Sequence, residues 1–418
     1  MYFIVLILSF FCSLQVCLSQ GNFGNNTNNS NSNSSPTLFE INTITNSNSQ
    51  IPTAQDSAHI TIDLNNEIIE NEKKQESKKE KVKLQKSQPT VSKDKIISEK
   101  SAEKTTLMNS LNQNFSIVYD ETRTQRNQRN PTVIQQEYLN KTLQTVKSID
   151  STSFDYYLMK VKAGNYDVNN HYYLVKANDL NSSHPDVQKQ FLAFYIINGD
   201  TSSTEIMLKN QVTNKEISTE FINYGIDLLN STPQNSTLIT HSFDDTYSVL
   251  LHQLNNQMRQ DVTIINLDFC QSKKYRDLLV DKGYKFDYNG TIDTRFLADF
   301  VSLNSTKNIA LSMTLPKDYF LNQSVELGIC GLVFIPTYES NIDDYNQRLW
   351  ENQLTKKVLF VDTDKGKQLS KNYLPLLLEL SQLYEAKKQF DKKREIDDWI
   401  TKIGKKTNVS DQLKKLKD

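Results

Sequence analysis

The chain has 418 residues, more than one ordinary domain needs, and its composition divides it into parts that differ in their capacity to fold. Hydrophobic residues make up 37% and charged residues 23%, and the formal net charge is −1. This balance excludes a protein that binds nucleic acid through overall positive charge, so we predict no nucleic-acid partner.

The N-terminal residues predict export. The stretch "MYFIVLILSFFCSLQVCLSQ" carries an apolar run of about 15 residues, which suits a signal peptide and is short for a membrane span. Small residues at Cys17 and Ser19 place cleavage before Gln20, so 1–19 is the predicted signal peptide; a lipid anchor at Cys17 is the alternative. No other segment approaches the roughly 18 apolar residues of a span. We expect a mature protein without a transmembrane segment, in the periplasm or at the outer-membrane periphery.

The next segment, 20–104, is predicted to be a disordered low-complexity tether. Residues 21–50 are mostly Asn, Ser and Thr, and 66–104 are mostly Lys, Glu, Ser and Gln. Such compositions bury too little apolar surface to offset the entropy lost on ordering.

A helical-repeat domain is predicted at 105–217. The stretch "YYLMKVKAGNYDVNNHYYLVKANDL" indicates a helix, a Gly-Asn turn and a second helix, and Pro185 suits the start of another. Gly164 and Gly199 are 35 residues apart, close to the period of about 34 of tetratricopeptide repeats. We expect the aromatic residues at helical spacing to pack in the core rather than to form a ligand cage.

The periodicity changes at 218, where an α/β domain is predicted to extend to 345. The strand-like runs "TLITHS", "DVTIINLDF" and "NIALSMTL" alternate with helical runs of about 10–13 residues. Alternation of this kind favours right-handed crossovers and a mainly parallel, three-layer sheet domain. The stretch "VELGICGLVFIPT" predicts two further strands that turn at Cys330 and Gly331.

The C-terminal part, 346–418, is predicted to be another tetratricopeptide-like helical hairpin. Its two helices each place apolar side chains on one face: Leu376, Leu380, Leu383 and Tyr384 on the first, and Ile396, Trp399, Ile400 and Ile403 on the second. The predicted architecture is therefore an α/β domain between helical-repeat arms.

The middle of the chain resembles a known family. The motifs "NYGIDLLNSTPQNSTLITHSFDDTYSVLLHQL…DVTIINLDF" and "NIALSMTLPKDYFLNQSVELGICGLVFIPT" are similar to the extracytoplasmic C-terminal region of bacterial multi-spanning membrane proteins related to protein O-mannosyltransferases. That region is a domain of unknown function, often followed by helical repeats. The resemblance covers about 218–345. The matching positions are Thr240, His241, Asp245, Thr246, Tyr247, Asn266 and Leu267.

The same motif also departs from the family. The family's Gly, first Asp, Asn and Pro are replaced here by Ser242, Phe243, Asp244 and Ser248. The membrane portion, where such proteins would transfer glycosyl groups, has no counterpart in the chain. The resemblance therefore implies a detached accessory domain and does not imply a transferase.

Polar residues that follow the predicted strands form the candidate ligand site. His241, Asp244 and Asp245 follow one strand, and Asn266 and Asp268 follow the next. In open α/β sheets ligands bind beyond the carboxyl ends of the strands, and a histidine beside carboxylates suits acid–base chemistry. The alternative is structural: Asp244 or Asp245 would cap the following helix and His241 would orient the turn. The structural alternative is favoured.

Other motifs of chemistry are missing from the sequence. It contains no Gly-x-Gly-x-x-Gly, phosphate loop or Gly-x-Ser-x-Gly elbow, and its five histidines lack the spacing of metal ligands. We therefore predict no metal and no cofactor. Cys270 and Cys330 lie beyond the predicted signal and could form a disulfide in an oxidising compartment; two buried thiols are the alternative.

These features favour an exported, non-enzymatic adaptor or scaffold of the bacterial cell envelope, which binds envelope proteins through its helical-repeat surfaces. The first alternative is a domain that binds or hydrolyses a glycan or nucleotide-like ligand at the corner formed by His241, Asp245 and Asp268. The second is a purely structural spacer.

Overall fold

The computed structural model describes residues 93–336 and 342–417. The predicted signal peptide, the candidate lipid site at Cys17 and residues 20–92 of the predicted tether lie outside these residues. Within the described part of the chain, no helix is both long and apolar enough to cross a membrane.

The first described helix, α1, spans Lys93–Thr124. The predicted tether therefore overlaps a helix at 93–104, where "KDKIISEKSAEK" supplies good helix formers. The part of α1 up to Leu107 belongs to a different unit from Met108–Asp418. All contacts described below are within the latter unit.

The helices between α1 and the sheet match the predicted helical segments. Ser153 caps α3 by accepting the backbone N–H of Tyr156, and Pro185 opens α5. Gly199 ends α5 with φ 72°, a conformation that glycine adopts without strain. The tetratricopeptide-like geometry of these helices stays a prediction. The helices are α2 Val133–Ile149, α3 Phe154–Ala163, α4 His171–Leu180, α5 Pro185–Asn198, α6 Thr201–Thr213 and α7 Thr219–Ser231.

The strands lie where the alternation predicted them, and each is short. They are β1 Thr237–Thr240, β2 Thr263–Asn266, β3 Ile309–Ser312, β4 Gly328–Cys330 and β5 Val333–Ile335. They form a five-stranded sheet in the order β2-β1-β3-β5-β4. In register, Leu238 lies opposite Ile264 on one side and Ala310 on the other. The chain therefore combines helices with one β-sheet, which is compatible with the predicted α/β fold.

The sheet is mixed, so the prediction of a mainly parallel sheet is not confirmed. β1 is parallel to β2 and β3, but β5 is antiparallel to both β3 and β4. Only Gly331 and Leu332 separate β4 from β5, and a parallel crossover needs about a dozen residues, so a hairpin is required. The hairpin was itself predicted. The three-layer arrangement stays a prediction.

Further helices connect the strands and complete the C-terminal part. Those between strands are α8 Phe243–Asn255, α9 Lys273–Asp281, α10 Thr294–Leu303 and α11 Asp318–Leu321. Those after the sheet are α12 Ile342–Arg348, α13 Asp364–Lys371, α14 Leu374–Ala386, α15 Phe390–Lys406 and α16 Ser410–Lys417. The predicted C-terminal hairpin is thus formed by α14 and α15.

One hydrophobic core contains buried residues from Tyr166 to Leu413 in sequence order. It contains the central strand residues Leu238, Leu311 and Phe334, all 0% exposed, together with the apolar faces of α14 and α15. The three predicted domain ranges therefore contribute to the same core. Helices α1 to α5 bury further side chains in two separate clusters.

Candidate functional site

The predicted strand-end motif forms a tight turn between β1 and α8. β1 ends at Thr240 and α8 begins at Phe243, which leaves His241 and Ser242 to reverse the chain. Ser242 is the N-cap residue, with φ 59° and no side-chain cap hydrogen bond. The prediction that Asp244 or Asp245 is the N-cap is therefore wrong; both lie in the first helical turn.

Asp245 holds this turn together. Its carboxylate accepts hydrogen bonds from the backbone N–H groups of His241 at 3.2 Å and Thr246 at 2.8 Å. It also accepts from the hydroxyls of Ser242 at 3.1 Å and Thr314 at 2.6 Å. The side chain is 1% exposed. Both oxygens of this carboxylate therefore accept hydrogen bonds, which satisfy the buried donors around them. The bond from Thr314 also joins the end of β1 to the segment after β3.

The imidazole of His241 lies beside this carboxylate. Its Nδ1 is 3.5 Å from Asp245 Oδ2, and the side chain is 17% exposed. This separation is longer than the usual length of an N–H···O hydrogen bond, and Nδ1 is buried with no hydrogen-bond partner among the described residues. The imidazole is the one group of the predicted corner that keeps an unused polar atom.

Asn266 fastens the end of β2 to the same turn. Its side-chain amide donates to the carbonyl of Ser242 at 2.7 Å and to the hydroxyl of Thr246 at 2.8 Å. Its side-chain oxygen accepts the backbone N–H of Phe269 at 3.1 Å. The residue is 0% exposed. Asn266 therefore links the end of β2 to the turn between β1 and α8.

Asp268 forms a buried ion cluster. Arg129 Nε donates to its Oδ1 at 2.5 Å, and both side chains are 1% exposed. Arg123 Nη2 and the backbone N–H of Ser242 donate to its Oδ2 at 3.2 and 3.1 Å. Burial alone would raise the pKa of Asp268, but the two guanidinium charges outweigh it and lower the pKa below its usual range. The carboxylate is ionised and fully engaged.

Arg123 is held in place by aromatic rings. Its guanidinium carbon lies 4.9 Å from the ring centroid of Phe243, 5.1 Å from that of Tyr166 and 5.8 Å from that of Tyr119. Arg123 also donates to the Tyr166 hydroxyl. Cation–π contacts and the Asp268 carboxylate together fix the C-terminal end of α1 against the strand-end turn.

Residues 125–130, which we call the edge segment, pass across this side of the sheet domain. The backbone N–H of Arg129 donates to the carbonyl of Ile292 at 2.7 Å, and the Ile292 N–H donates to the Asn130 side chain at 2.6 Å. Gln271 Nε2 donates to the carbonyl of Arg129 at 3.0 Å. The place where open α/β sheets bind ligands is thus occupied by the chain itself.

Two small cavities lie among the described helices. The one that adjoins the edge segment is lined by Tyr119, Arg123, Arg129 and Gln190 among others and has a volume of about 10 Å³; the other lies between α3, α4 and α5 and has a volume of about 20 Å³. A single water molecule needs about 10–15 Å³ of such space. The cavities therefore suit water or a single small group better than a glycan or a nucleotide.

The remaining predicted residues lie apart from this cluster. Asp244 is 30% exposed, and its carboxylate is 3.6 Å from Lys365 Nζ. Cys270 and Cys330 are separate buried thiols and form no disulfide; their Sγ atoms contact the carbonyls of Asn266 and Ser231. Burial raises the pKa of the Cys270 thiol well above its usual value. Among the described residues, no group of His, Cys, Asp and Glu side chains could hold a metal ion.

Sequence analysis missed Arg123, Arg129 and Thr314. The available signal was the basic stretch "RTQRNQRNP", where arginines at intervals of three residues precede a proline without an apolar stripe beside them. That pattern is ordinarily solvent-exposed, and the burial of Arg129 depends on a carboxylate 139 residues away.

Comparisons with family models, curated proteins and solved structures found no match for this chain. The resemblance of 218–345 to the extracytoplasmic region of the membrane-protein family stays a prediction.

Proposed function

We propose that the protein is a non-enzymatic scaffold or adaptor that binds other proteins through its helical surfaces. The observation that carries the proposal is the burial of Asp245 and Asp268, the two carboxylates of the predicted ligand corner, each 1% exposed. Arg129 satisfies Asp268, and Thr314 and backbone groups satisfy Asp245. These carboxylates stabilise the fold and have little capacity left for a substrate.

Exposed apolar side chains on the helices are consistent with the same proposal. Covering such a side chain with a partner gains free energy in proportion to the apolar area removed from water. The examples more than half exposed on helices are Ile117, Val133, Tyr172, Leu180, Ile206, Val280, Leu321 and Phe390; Phe360 ends a 3₁₀ turn.

The cellular site of this activity is part of the proposal. Residues 1–19 have the pattern of a signal peptide, and a scaffold exported by it would meet cell-envelope proteins.

His241 supports a second candidate function, a ligand-binding corner. Its side chain is 17% exposed and carries an unpartnered Nδ1. It also follows the carboxyl end of β1, the strand that has a parallel neighbour on each side. A small acidic or hydroxylated ligand is the kind that the imidazole would bind.

Quantitative cross-linking distinguishes the two candidates. The tagged full-length protein and its His241→Gln variant would be cross-linked in the envelope of the native host, with bound proteins counted relative to the bait. If the protein is a scaffold, the unmodified protein and the variant should recover the same partners in the same ratio. Loss of all partners from the variant, with an unchanged melting temperature, would favour the corner, and the absence of stoichiometric partners from the unmodified protein would refute the scaffold.

A further inference from the structure

An aromatic series lies where the C-terminal helices meet. Trp350 is 3% exposed, Trp399 is half-buried and Phe360 is 67% exposed. The ring centroids of Trp350 and Trp399 are 6.4 Å apart, and those of Trp399 and Phe360 are 5.4 Å apart. The ring of Trp350 is therefore buried in the core, whereas the ring of Phe360 is exposed to solvent.

A lysine covers the outer rings. Lys402 Nζ lies 5.3 Å from the ring centroid of Phe360 and 4.6 Å from that of Trp399. Lys402 forms no ion pair within 4.0 Å among the residues that the structure describes. Its charge is therefore oriented by the rings and is available to a carboxylate from outside.

Two more lysines extend this positive charge. Lys367 Nζ lies 3.5 Å from the carboxylate of Asp362, and Lys406 donates to the carbonyls of Leu359, at 3.3 Å, and of Val361. Burial lowers its pKa, and the neighbouring charges of Lys367 and Lys402 lower it further, although Asp362 opposes them. We call Phe360, Trp399 and the lysines 367, 402 and 406 the aromatic–lysine patch.

We propose that the aromatic–lysine patch is the docking site for an acidic segment of a partner protein that also carries a large apolar side chain. The apolar side chain of the partner would cover Phe360. Its carboxylates would neutralise the lysines, which repel one another and are only partly compensated by acidic groups in the free protein. This proposal rests on the proposed function and names the chemistry of the partner.

The ring geometry favours a peptide over a nucleic acid. The planes of Phe360 and Trp399 are 88° apart, so they form no parallel slot for a base. Lys402 already lies over both rings, whereas single-stranded nucleic acid binds by stacking on open ring faces. The net charge of −1 also provides no general attraction to polyanions.

Tryptophan fluorescence tests the proposal directly, because the full chain has two tryptophans and both belong to this aromatic series. The probes are short synthetic peptides that alternate Asp or Glu with Leu or Phe. Matched peptides replace the acids by Lys or the apolar residues by Ser. The acidic, apolar peptide should shift the emission and bind. Phe360→Ser and Lys402→Glu should each weaken binding by about tenfold or more.

Matched control variants separate the patch from general effects. Phe390 is 60% exposed on the same helix as Trp399, and Lys147 is exposed on α2. Phe390→Ser and Lys147→Glu should leave peptide binding unchanged. All variants must keep the far-ultraviolet circular dichroism of the unmodified protein.

Several outcomes would overturn the proposal. They are equal binding of the acidic and basic peptides, binding only to phosphatidylserine vesicles or to a single-stranded oligonucleotide, and self-association that Phe360→Ser abolishes. If cross-linked partners remain bound to the Phe360→Ser/Lys402→Glu variant, the patch is refuted and the scaffold stands. If the unmodified protein captures none, the scaffold itself is refuted.

Discussion

Replacing Asp268 by Asn should destabilise the fold severely. The substitution keeps the shape of the side chain but removes the charge that Arg129 faces at 2.5 Å, with both groups 1% exposed. Breaking a buried pair in this way costs about 3–5 kcal/mol, because the remaining charge is buried without compensation. The lower end is expected here, since Arg123 is partly solvated and Arg129 keeps bonds to backbone carbonyls. Typical domains have about 5–15 kcal/mol of stability in total.

Urea unfolding followed by tryptophan fluorescence measures this loss. The control is Glu205→Gln, which breaks an exposed pair with Lys209 and should cost less than about 1 kcal/mol. The double variant Arg129→Met/Asp268→Asn should lose at least about 1 kcal/mol less than the sum of the single variants. A loss below about 1 kcal/mol for Asp268→Asn, or strict additivity, would refute the argument that this pair is buried and coupled.

The same carboxylate predicts a response to acid. The arginine charges lower the folded-state pKa of Asp268 below the unfolded value, which is about 3.9. The stabilisation from ionised Asp268 is therefore fully present above the unfolded pKa and is lost as the pH falls from about 4 towards the folded pKa. The free energy of unfolding of Asp268→Asn should depend less on pH in this window. Parallel pH profiles for both proteins would contradict the prediction.

Three further predictions concern other buried groups. Gly331→Ala should destabilise more than Gly290→Ala in thermal unfolding: both glycines have positive φ, but a Cβ would lie 2.3 Å from a neighbouring side chain only at Gly331. Burial raises the pKa of Glu379 from 4.5 to about 8, so the free energy of unfolding should fall as pH rises across that interval, and Glu379→Gln should remove the decline. Cys270 and Cys330 should stay unreactive towards a thiol reagent until the protein unfolds, as followed by peptide mapping.

Each of these has a contrary outcome. Equal melting temperatures for the two glycine variants would show that the β4–β5 turn has more room than its contacts indicate. A pH profile that Glu379→Gln leaves unchanged would assign the titration to another group. Rapid labelling of the native protein, or a mass lower by two hydrogens, would contradict separate buried thiols.

Much of the fold was predictable from local patterns. The helix pair around the Gly-Asn turn, the alternation of strands and helices, and the hairpin at Gly331 all depend on residues close together in sequence. The apolar face of Leu376 and Leu380 was also predictable, because helical spacing alone places them on one side. Local propensity and turn chemistry decide such features wherever they agree with burial.

The candidate site was predictable in part. The prediction brought His241, Asp245, Asn266 and Asp268 to one edge of the sheet, and the structure places them there. It could not show that Arg129 fills that edge, because no local pattern indicates which distant charge a buried carboxylate will meet.

The sequence by itself determined where helices, strands and tight turns form, since those choices depend on spacing and on neighbouring side chains. Tertiary structure alone decided that β5 runs antiparallel to β3, that Cys270 and Cys330 stay apart, and that Arg129 pairs with Asp268 across 139 residues. The physical reason is that pairings between residues far apart in sequence depend on the burial and hydrogen bonding of the whole core. A charge buried without a counter-charge costs free energy, so the fold in which Arg129 meets Asp268 is favoured.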